Sequence, residues 1–435
     1  MSYQPLFLKQ LFHNSRRFLA QIWLKQMPAI QVAVTGSQGK TNTTRLINEV
    51  LNSLGKTTCT DINLDTIYNV PITALKVKPS TKFALFELGI DHPGEMDLHL
   101  QLIKPKIAVI TGISSVHTDN EHLGNLENLI KEKRKLIEAL PESGFAILNY
   151  DDKNVRQMAA STKAKILYFG TDKHHCDIWT DPKSIKLTLS GTVFKLMLSK
   201  QYGFSELSGG QLITTKLIGF HQIYNIMASY LVYSLIKTNF IKIKTSDDLF
   251  KRIIASVKPL SGRMSMEPGP LQTVVLNDSL RANPISTKSG LQTLSAIDYL
   301  KGKKIAILAE MGELQNPEIE HKKIGQLIAQ LNIDQLICIG SFQKYTADEA
   351  IKSGADKNKV FHVKNVHQAS AILKKIVNKN DLIYLKGSLL RHIERVLLLL
   401  QETNVGCTVN LCPFYNHCSI CKYLTVGYHP KGAQS

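Results

Sequence analysis

The segment Thr35-Gly36-Ser37-Gln38-Gly39-Lys40-Thr41-Asn42-Thr43-Thr44 carries the residue types that hold a phosphate group. Glycines let successive backbone N–H groups curl around phosphate oxygens, and a helix opening after them adds partial positive charge. Lys40 can reach terminal phosphates, and the Thr41 hydroxyl can ligate Mg2+. The spacing is Gly-x-x-Gly-Lys-Thr, two residues shorter between the glycines than the common phosphate loop. More groups should converge on this loop, because ligands of open α/β sheets bind beyond the carboxyl ends of the strands. Glu87 lies near the end of one predicted strand, His117 follows a second, and Asn149, Asp151 and Asp152 follow a third. A carboxylate, an imidazole and a hydroxyl beside nucleotide phosphates make a candidate Mg2+ site.

The elements that must position these groups read as an α/β chain. A short apolar strand at Ile30–Thr35 leads into the loop, and a helix bearing Leu46, Ile47, Val50, Leu51 and Leu54 follows. Phe83–Leu88, Ile107–Ile113 and Phe145–Asn149 read as further strands, with a helix at Asn125–Leu140. This alternation predicts a doubly wound parallel sheet. Residues 165–217 change to short alternating runs, such as Ile185–Leu189 and Val193–Leu198, which predict antiparallel strands at the sheet edge. A helix at Gln222–Lys237 and a hinge near Pro259–Arg263 follow. A second alternating series then has strands at Thr273–Leu276, Lys304–Leu308, Gln335–Ile339, Val360–Val363 and Leu382–Leu385. The resulting organisation is a basic N-terminal helix (1–28), a phosphate-loop central domain (29–263), a Rossmann-like C-terminal domain (264–405) and a four-cysteine tail (406–435).

The chain has 435 residues, 43% of them apolar and 20% charged, which excludes a largely disordered chain or a small disulfide scaffold. No run of about 18 apolar residues exists, so no spanning helix is expected. The 53 Lys+Arg exceed the 35 Asp+Glu by 18, which suits anionic substrates or anionic lipid; no nucleic-acid partner is expected. Residues 6–27 form a basic amphipathic pattern, with Leu8, Leu11, Phe12, Phe18, Leu19, Ile22 and Trp23 mostly on one side. Such a helix either packs on the body or lies on an anionic membrane surface. It lacks the features of a secretory signal, so a reducing cytoplasmic setting is expected. Four of the seven cysteines, Cys407, Cys412, Cys418 and Cys421, crowd into fifteen residues. Clustered cysteines in a reducing compartment favour metal over disulfide. Four thiolates suit a closed structural Zn2+ site, with an iron–sulfur cluster or no metal as the alternatives and His417 as a substitute ligand.

Several segments together resemble the Mur ligase family of ATP-dependent amide-forming enzymes, over about residues 30–400. They are the phosphate loop, Glu87-Leu88-Gly89 with Pro93-Gly94-Glu95, Ile110-Thr111 leading to His117, and Leu126-Glu127-Asn128 leading to Glu132-Lys133. Leu148-Asn149-Tyr150-Asp151-Asp152, Gly219-Phe220-His221-Gln222 with Asn225, and Pro259-Leu260-Ser261-Gly262-Arg263 continue the pattern. Asn277-Asp278-Ser279, Ala282-Asn283-Pro284, Glu310-Met311-Gly312-Glu313-Leu314, His321 and Lys386-Gly387-Ser388 complete it. These last segments most resemble members that add D-alanyl-D-alanine to a UDP-muramoyl tripeptide in cell-wall synthesis. The resemblance implies that Gly36, Ser37, Gln38, Gly39, Lys40, Thr41 and Asn42 bind ATP phosphates, and that Thr41 and Glu87 hold one Mg2+. It implies that Glu87, His117 and a carbamylated Lys133 organise a second, that His221 and Asn225 face adenine, and that Arg263 and Asp278 reach phosphate or ribose. The implied reaction forms an acyl phosphate from a carboxylate acceptor and ATP; an amino-acid or dipeptide amine then displaces phosphate.

The sequence also departs from the family. About 30 residues precede the phosphate loop, too few for a domain that grips a UDP group, which suggests an acceptor held otherwise or linked to lipid. Asn277-Asp278 with Leu280 and Arg281 replaces the usual acidic pair and tyrosine. Two extra residues between His117 and Lys133 make His122 a rival ligand. An amidating Mur-like enzyme, a polyglutamate or folate ligase, and a nucleotide-gated binding protein remain as other readings.

Overall fold

A computed structural model describes residues 7–61, 66–114, 122–199, 210–243, 247–312, 314–414 and 416–428, with the side chains of 7–10 left aside. The chain forms two compact units: 1–186 with 193–215 and 221–257, and 187–192 with 216–220 and 258–435.

Ten strands belong to the first sheet: β1 (Ile30–Thr35), β2 (Thr57–Cys59), β3 (Phe83–Glu87), β4 (Ile107–Ile110), β5 (Phe145–Asn149), β6 (Lys165–Gly170), β7 (Ile178–Trp179), β8 (Lys186–Thr188), β9 (Gly191–Leu198) and β10 (Gln211–Thr215). Their order is β10-β9-β7-β6-β5-β4-β1-β3-β2, with β8 beside β9. From β2 to β7 every neighbouring pair is parallel. The central strands are buried along nearly their whole length, as continuous apolar runs such as Ile-Ala-Val-Ile in β4 require when helices cover both faces. β1 lies between β3 and β4, so the ends of these three strands open side by side.

The expected antiparallel edge begins later than the sequence suggests. β6 and β7 still run parallel to the sheet, and the first antiparallel pair is β7 with β9. For β6 the reason is the short helical crossover at Lys153–Ser161, which returns the chain to the same sheet edge. The helix expected at Gln222–Lys237 spans Phe220–Leu235 and runs on into a π turn at Ile236–Phe240.

The N-terminal helix, Phe7–Lys25, meets the first unit through a narrow face. Ala20 and Leu24 are buried in its core, Arg17 donates to the carbonyls of Leu98 and Ile67, and the Trp23 indole donates to Val77 O. Its broad apolar face points away: Leu11, Phe12, Phe18, Leu19, Ile22 and Trp23 are all exposed. Among the described residues no helix is long and apolar enough to cross a membrane.

The second unit holds β11 (Ser265–Pro268), β12 (Val274–Asp278), β13 (Lys304–Ala309), β14 (Gln335–Ile339), β15 (Val360–Val363) and β16 (Leu382–Lys386). The order is β11-β12-β16-β13-β14-β15, parallel apart from β11. The helix Pro284–Ala296 starts on a reciprocal cap between Asn283 and Ser286, with Pro284 in the first turn.

Asp152 is a small residue with two structural duties. Oδ1 caps the helix Lys153–Met158 through the N–H groups of Asn154 and Val155, and Oδ2 accepts from Ile113 N at 2.6 Å. Replacing Asp152 by Ala should lower stability by about 1–3 kcal/mol, read as a shift in urea midpoint at unchanged slope.

Candidate active site

The loop after β1 is held by the loop after β4. Ser37 N donates to Gly112 O at 2.7 Å, the Ser37 hydroxyl donates to Ser114 O at 3.1 Å, and the Thr111 hydroxyl donates to Gln38 O. Gly36 (φ +150°) and Gly39 (φ +79°) adopt conformations that L side chains rarely reach. A methyl group on Gly36 would also fall on the Thr111 hydroxyl, and one on Gly39 would stand 2.9 Å from Asn225 Oδ1. The helix Lys40–Leu54 begins directly after Gly39. Its first turn therefore aims unpaired N–H groups at whatever anion the loop encloses.

Four of the side chains named from the sequence lie about this loop. The Thr41 hydroxyl donates to Glu87 Oε1 at 3.0 Å, across the ends of β1 and β3. Lys40 Nζ donates to Gly36 O at 2.7 Å, folded back over the loop. Lys133 lies close enough to Lys40 for the two charges to oppose each other. His117 lies outside the described residues. His122 stacks at a tilt on His92, with ring centroids 5.8 Å apart.

Lys133 sits among Lys131, Arg134 and Lys135 in the helix Leu126–Glu138. The structure separates them. Lys131 and Lys135 pair with acids at the surface, whereas Lys133 is 1% exposed, on the buried face with Leu129, Leu136 and Ile137. Among the described residues no carboxylate lies within ion-pair distance of its amine. Burial pushes the amine well below the ordinary lysine value; Lys40 adds to the fall, while Asp91, Glu95 and Glu132 oppose it.

Asn225 links the loop to the helix Phe220–Leu235. Its Oδ1 accepts from Thr43 Oγ1 at 3.0 Å, and its amide donates to Gln222 Oε1 at 3.0 Å. Gln222 in turn bonds His221 Nε2 at 3.0 Å. Sequence reasoning named His221 and Asn225 and assigned Gln222 no part. The i, i+3 spacing of Gln222 and Asn225 on one helix was the available signal. Asn149 donates to Thr111 O at 2.9 Å, and Asp151 accepts from Tyr224 OH at 2.7 Å.

Arg263 and Asp278 belong to the second unit. β12 and β16 pair Asp278 with Lys386, and Lys386 Nζ donates to Asp278 Oδ2 at 2.7 Å while Tyr384 OH donates to the same atom at 3.1 Å. Burial lowers the Lys386 pKa, Asp278 counters, and Arg263 lowers it further, so Arg263 stands near this pair. The unit also buries His321, whose Nδ1 faces Pro317 O at 2.6 Å and whose Nε2 accepts from Met311 N at 3.3 Å. That arrangement holds the ring neutral, and burial lowers its pKa accordingly. Glu310 accepts from Phe342 N and pairs with Arg391 at 2.9 Å.

Phosphate loop, Thr41–Glu87 pair and buried lysine define a nucleotide-using enzyme site on a parallel sheet. Comparison with known proteins places it. Residues 34–233 match the Mur ligase middle domain, and residues 262–389 match the family described as Mur ligase, glutamate ligase domain. The chain belongs to the Mur ligase family and is an ATP-dependent ligase. It is 27% identical to the UDP-N-acetylmuramoyl-tripeptide--D-alanyl-D-alanine ligase of Escherichia coli K12, over 87% of this chain and 79% of that one. It is also 27% identical to the Bacillus subtilis 168 protein of the same name, over 88% and 79%. The fold matches MurF of Acinetobacter baumannii, with TM-score 0.75 at 22% identity over 90% and 80% of the chains. It also matches Thermotoga maritima MurF in complex with ADP, with TM-score 0.73 at 21% identity over 90% and 84%.

The buried amine has a measurable signature. In buffer freed of CO2, the unfolded chain protonates Lys133 below its ordinary value of 10.5, and the native chain does so only well below it. Between those two values the unfolded state binds the extra proton, so this residue makes stability rise with pH, by up to about 1.4 kcal/mol per pH unit. Urea unfolding at several pH values inside that window should show Lys133→Met losing this slope. An unchanged slope would place the amine in water.

Proposed function

We propose that this ligase joins an amine to the carboxylate of a muramoyl-peptide acceptor through an acyl phosphate, with D-alanyl-D-alanine as the amine, in peptidoglycan synthesis. The names of the E. coli and B. subtilis relatives support that substrate pair. The single observation that carries the reading is Lys133, a buried amine set behind the phosphate loop with Lys40 as its charged neighbour. Only an unprotonated amine adds CO2: its lone pair forms the N–C bond while a C–O π pair moves onto oxygen, one proton leaves the nitrogen, and the neutral amine becomes a carbamate anion. The lowered pKa prepares Lys133 for that step.

The residues present fit ATP and Mg2+. The Thr41 hydroxyl and Glu87 carboxylate, 3.0 Å apart beside the loop, are the hard oxygen donors that Mg2+ takes. When bound, Mg2+ supplies positive charge at the phosphate oxygens. The amides of Gly36 to Asn42 would cradle the phosphates, and Lys40 would leave the Gly36 carbonyl for the terminal phosphate, where charge builds. His117 and the Lys133 carbamate would complete the metal-binding set with Glu87. His221 and Asn225 would border the adenine, and Arg263 and Asp278 would reach the nucleotide from the second unit. The zinc assigned to the four-cysteine tail stands apart from this chemistry and rests on separate observations.

Phosphate release from ATP should rise only when UDP-muramoyl-tripeptide and D-alanyl-D-alanine are both present. Lys133→Ala should lower it at least about 100-fold, with part returned by a small carboxylic acid that occupies the missing carbamate's place. Release that ignores the amine would leave a nucleotide switch as the better account, and full activity of Lys133→Ala would remove the carbamate.

We also propose that the helix Phe7–Lys25 rests on an anionic membrane surface. Supporting this, its packed face is narrow while Phe12, Phe18, Leu19 and Ile22 stand in water, beside the basic residues Arg16 and Lys25. Vesicles containing anionic lipid should float the protein, and Phe18→Glu with Ile22→Glu should return it to the soluble fraction. Equal recovery of both proteins with the vesicles would overturn the contact.

A further inference from the structure

The four cysteines of the tail line one small cavity with Arg395 and His392. None is in a disulfide; Cys407, Cys412 and Cys418 are buried, and Cys421 is half-buried. Arg395 is 1% exposed, although a guanidinium keeps its charge at any ordinary pH. Its Nε donates to His392 O at 3.1 Å, Nη1 to Cys407 O at 2.9 Å, and Nη2 to Val409 O at 2.5 Å and Arg391 O at 3.4 Å. All of these oxygens are uncharged main-chain carbonyls. The remaining partner is Cys407 Sγ, 3.4 Å from Nη1. A buried cation needs a nearby anion, and thiolates supply it.

A competing donor set must be weighed. Ligand atoms of His392, Glu394 and Cys418 lie within 4.8 Å of one another. The imidazole is already committed: Nδ1 faces Glu394 Oε1 at 3.0 Å, and Nε2 faces Phe414 O at 2.9 Å. Both ring nitrogens are thus taken up by oxygen partners in the cavity wall. Glu394 Oε1 also accepts from Cys418 N at 3.3 Å. His392 and Glu394 are a hydrogen-bonded pair in the cavity wall, with the Cys418 sulfur beside it.

We propose that Cys407, Cys412, Cys418 and Cys421 bind one Zn2+ as four thiolates, with Arg395 as buried counter-charge, and that the resulting knuckle positions the loop after β16. Binding releases the four thiol protons to solvent and leaves a site of net charge −2, which the Arg395 cation faces. The tail grips the loop at several points. Cys412 N donates to Leu390 O at 2.8 Å, Arg391 Nη1 to Asn410 O at 3.4 Å, and Arg395 to Cys407 O. His392 sits at φ +46°, a conformation that L residues rarely hold without such support. The gripped loop begins where Lys386 bonds Asp278, and it carries Arg391 to its pair with Glu310. The knuckle therefore sets the far end of a segment whose near end holds a buried ion pair. The site depends on nothing in the ligase chemistry, so either reading can fail without the other.

The test uses the full chain purified without chelator. Elemental analysis should give one zinc per chain and no acid-labile sulfide. Cobalt substituted for the zinc should show the visible spectrum of a tetrahedral tetrathiolate. The four tail thiols should resist a thiol reagent until the metal is withdrawn, whereas Cys59 reacts in either state. Cys412→Ser and Cys418→Ser should lose the metal, and Cys59→Ser should keep it. Withdrawing zinc should speed amide exchange at least tenfold across residues 387–395 and leave β12 unchanged. A metal-free chain whose tail thiols gain no reactivity on chelator treatment overturns the site, as does iron with sulfide in place of zinc. Unchanged exchange across 387–395 overturns the positioning role.

Discussion

The site is organised around a lysine kept dry. The helix Leu126–Glu138 turns Lys133 inward with Leu129, Leu136 and Ile137, so the amine shares the environment of the apolar core. Three carboxylates, Asp91, Glu95 and Glu132, act on it from a distance, and Lys40 acts against them. Each acid is engaged elsewhere or set too far to pair: Glu95 Oε2 takes the Asp91 and His92 N–H groups, and Glu132 takes Met96 N and Lys135. The amine is thus left without a salt-bridge partner among the described residues. A charged form would be costly there, and a neutral nucleophilic form is favoured.

The same economy appears in the phosphate loop, whose shape is fixed before any nucleotide arrives. Thr111, Ser114, Gly112 and Asn225 supply the contacts that close it, and three of these four residues follow β4. Asp152 ties that β4 loop to the end of β5 through Ile113 N. The ends of β1, β4 and β5 thereby act as one rigid rim. Donors held at the bound geometry need no rearrangement when charge develops, which is the main way such sites stabilise phosphoryl transfer.

Much of this was legible because parallel strands buried on both faces read as unbroken apolar runs. Phe145–Asn149, Gln335–Ile339 and Val360–Val363 occupy the residues their composition predicts, and Glu87 stands at its strand end beside Thr41. The failures have physical causes. The region 165–217 reads as an antiparallel edge, yet β6 and β7 join the sheet in parallel, β6 after the helical crossover Lys153–Ser161. For the helix Phe7–Lys25 the sequence left packing on the body and a membrane surface both open; the core contact is made by Ala20 and Leu24, away from the apolar side. Lys133 sits in a Lys-Glu-Lys-Arg-Lys run that reads as solvated, and only the phase of the helix against Leu129 and Leu136 separates it from its neighbours. The bond between Lys386 and Asp278 depends on pairing between strands more than a hundred residues apart, which no local pattern carries.

Among the described residues the three most buried lysine and arginine side chains are Lys133 and Arg395, at 1% exposure, and Lys386, at 2%. The fold compensates each differently. Lys386 has a carboxylate in hydrogen-bond contact, which fixes its charge and makes it a structural strut between β12 and β16. Arg395 cannot lose its proton, so carbonyls satisfy its donors and sulfur stands where an anion is required. Lys133 has neither a carboxylate in contact nor a permanent charge. Of the three it is the one whose burial is relieved by changing its chemistry, by losing a proton and then by gaining a carboxylate of its own. A residue placed this way contributes little to stability, and its position is explained by what its amine can become.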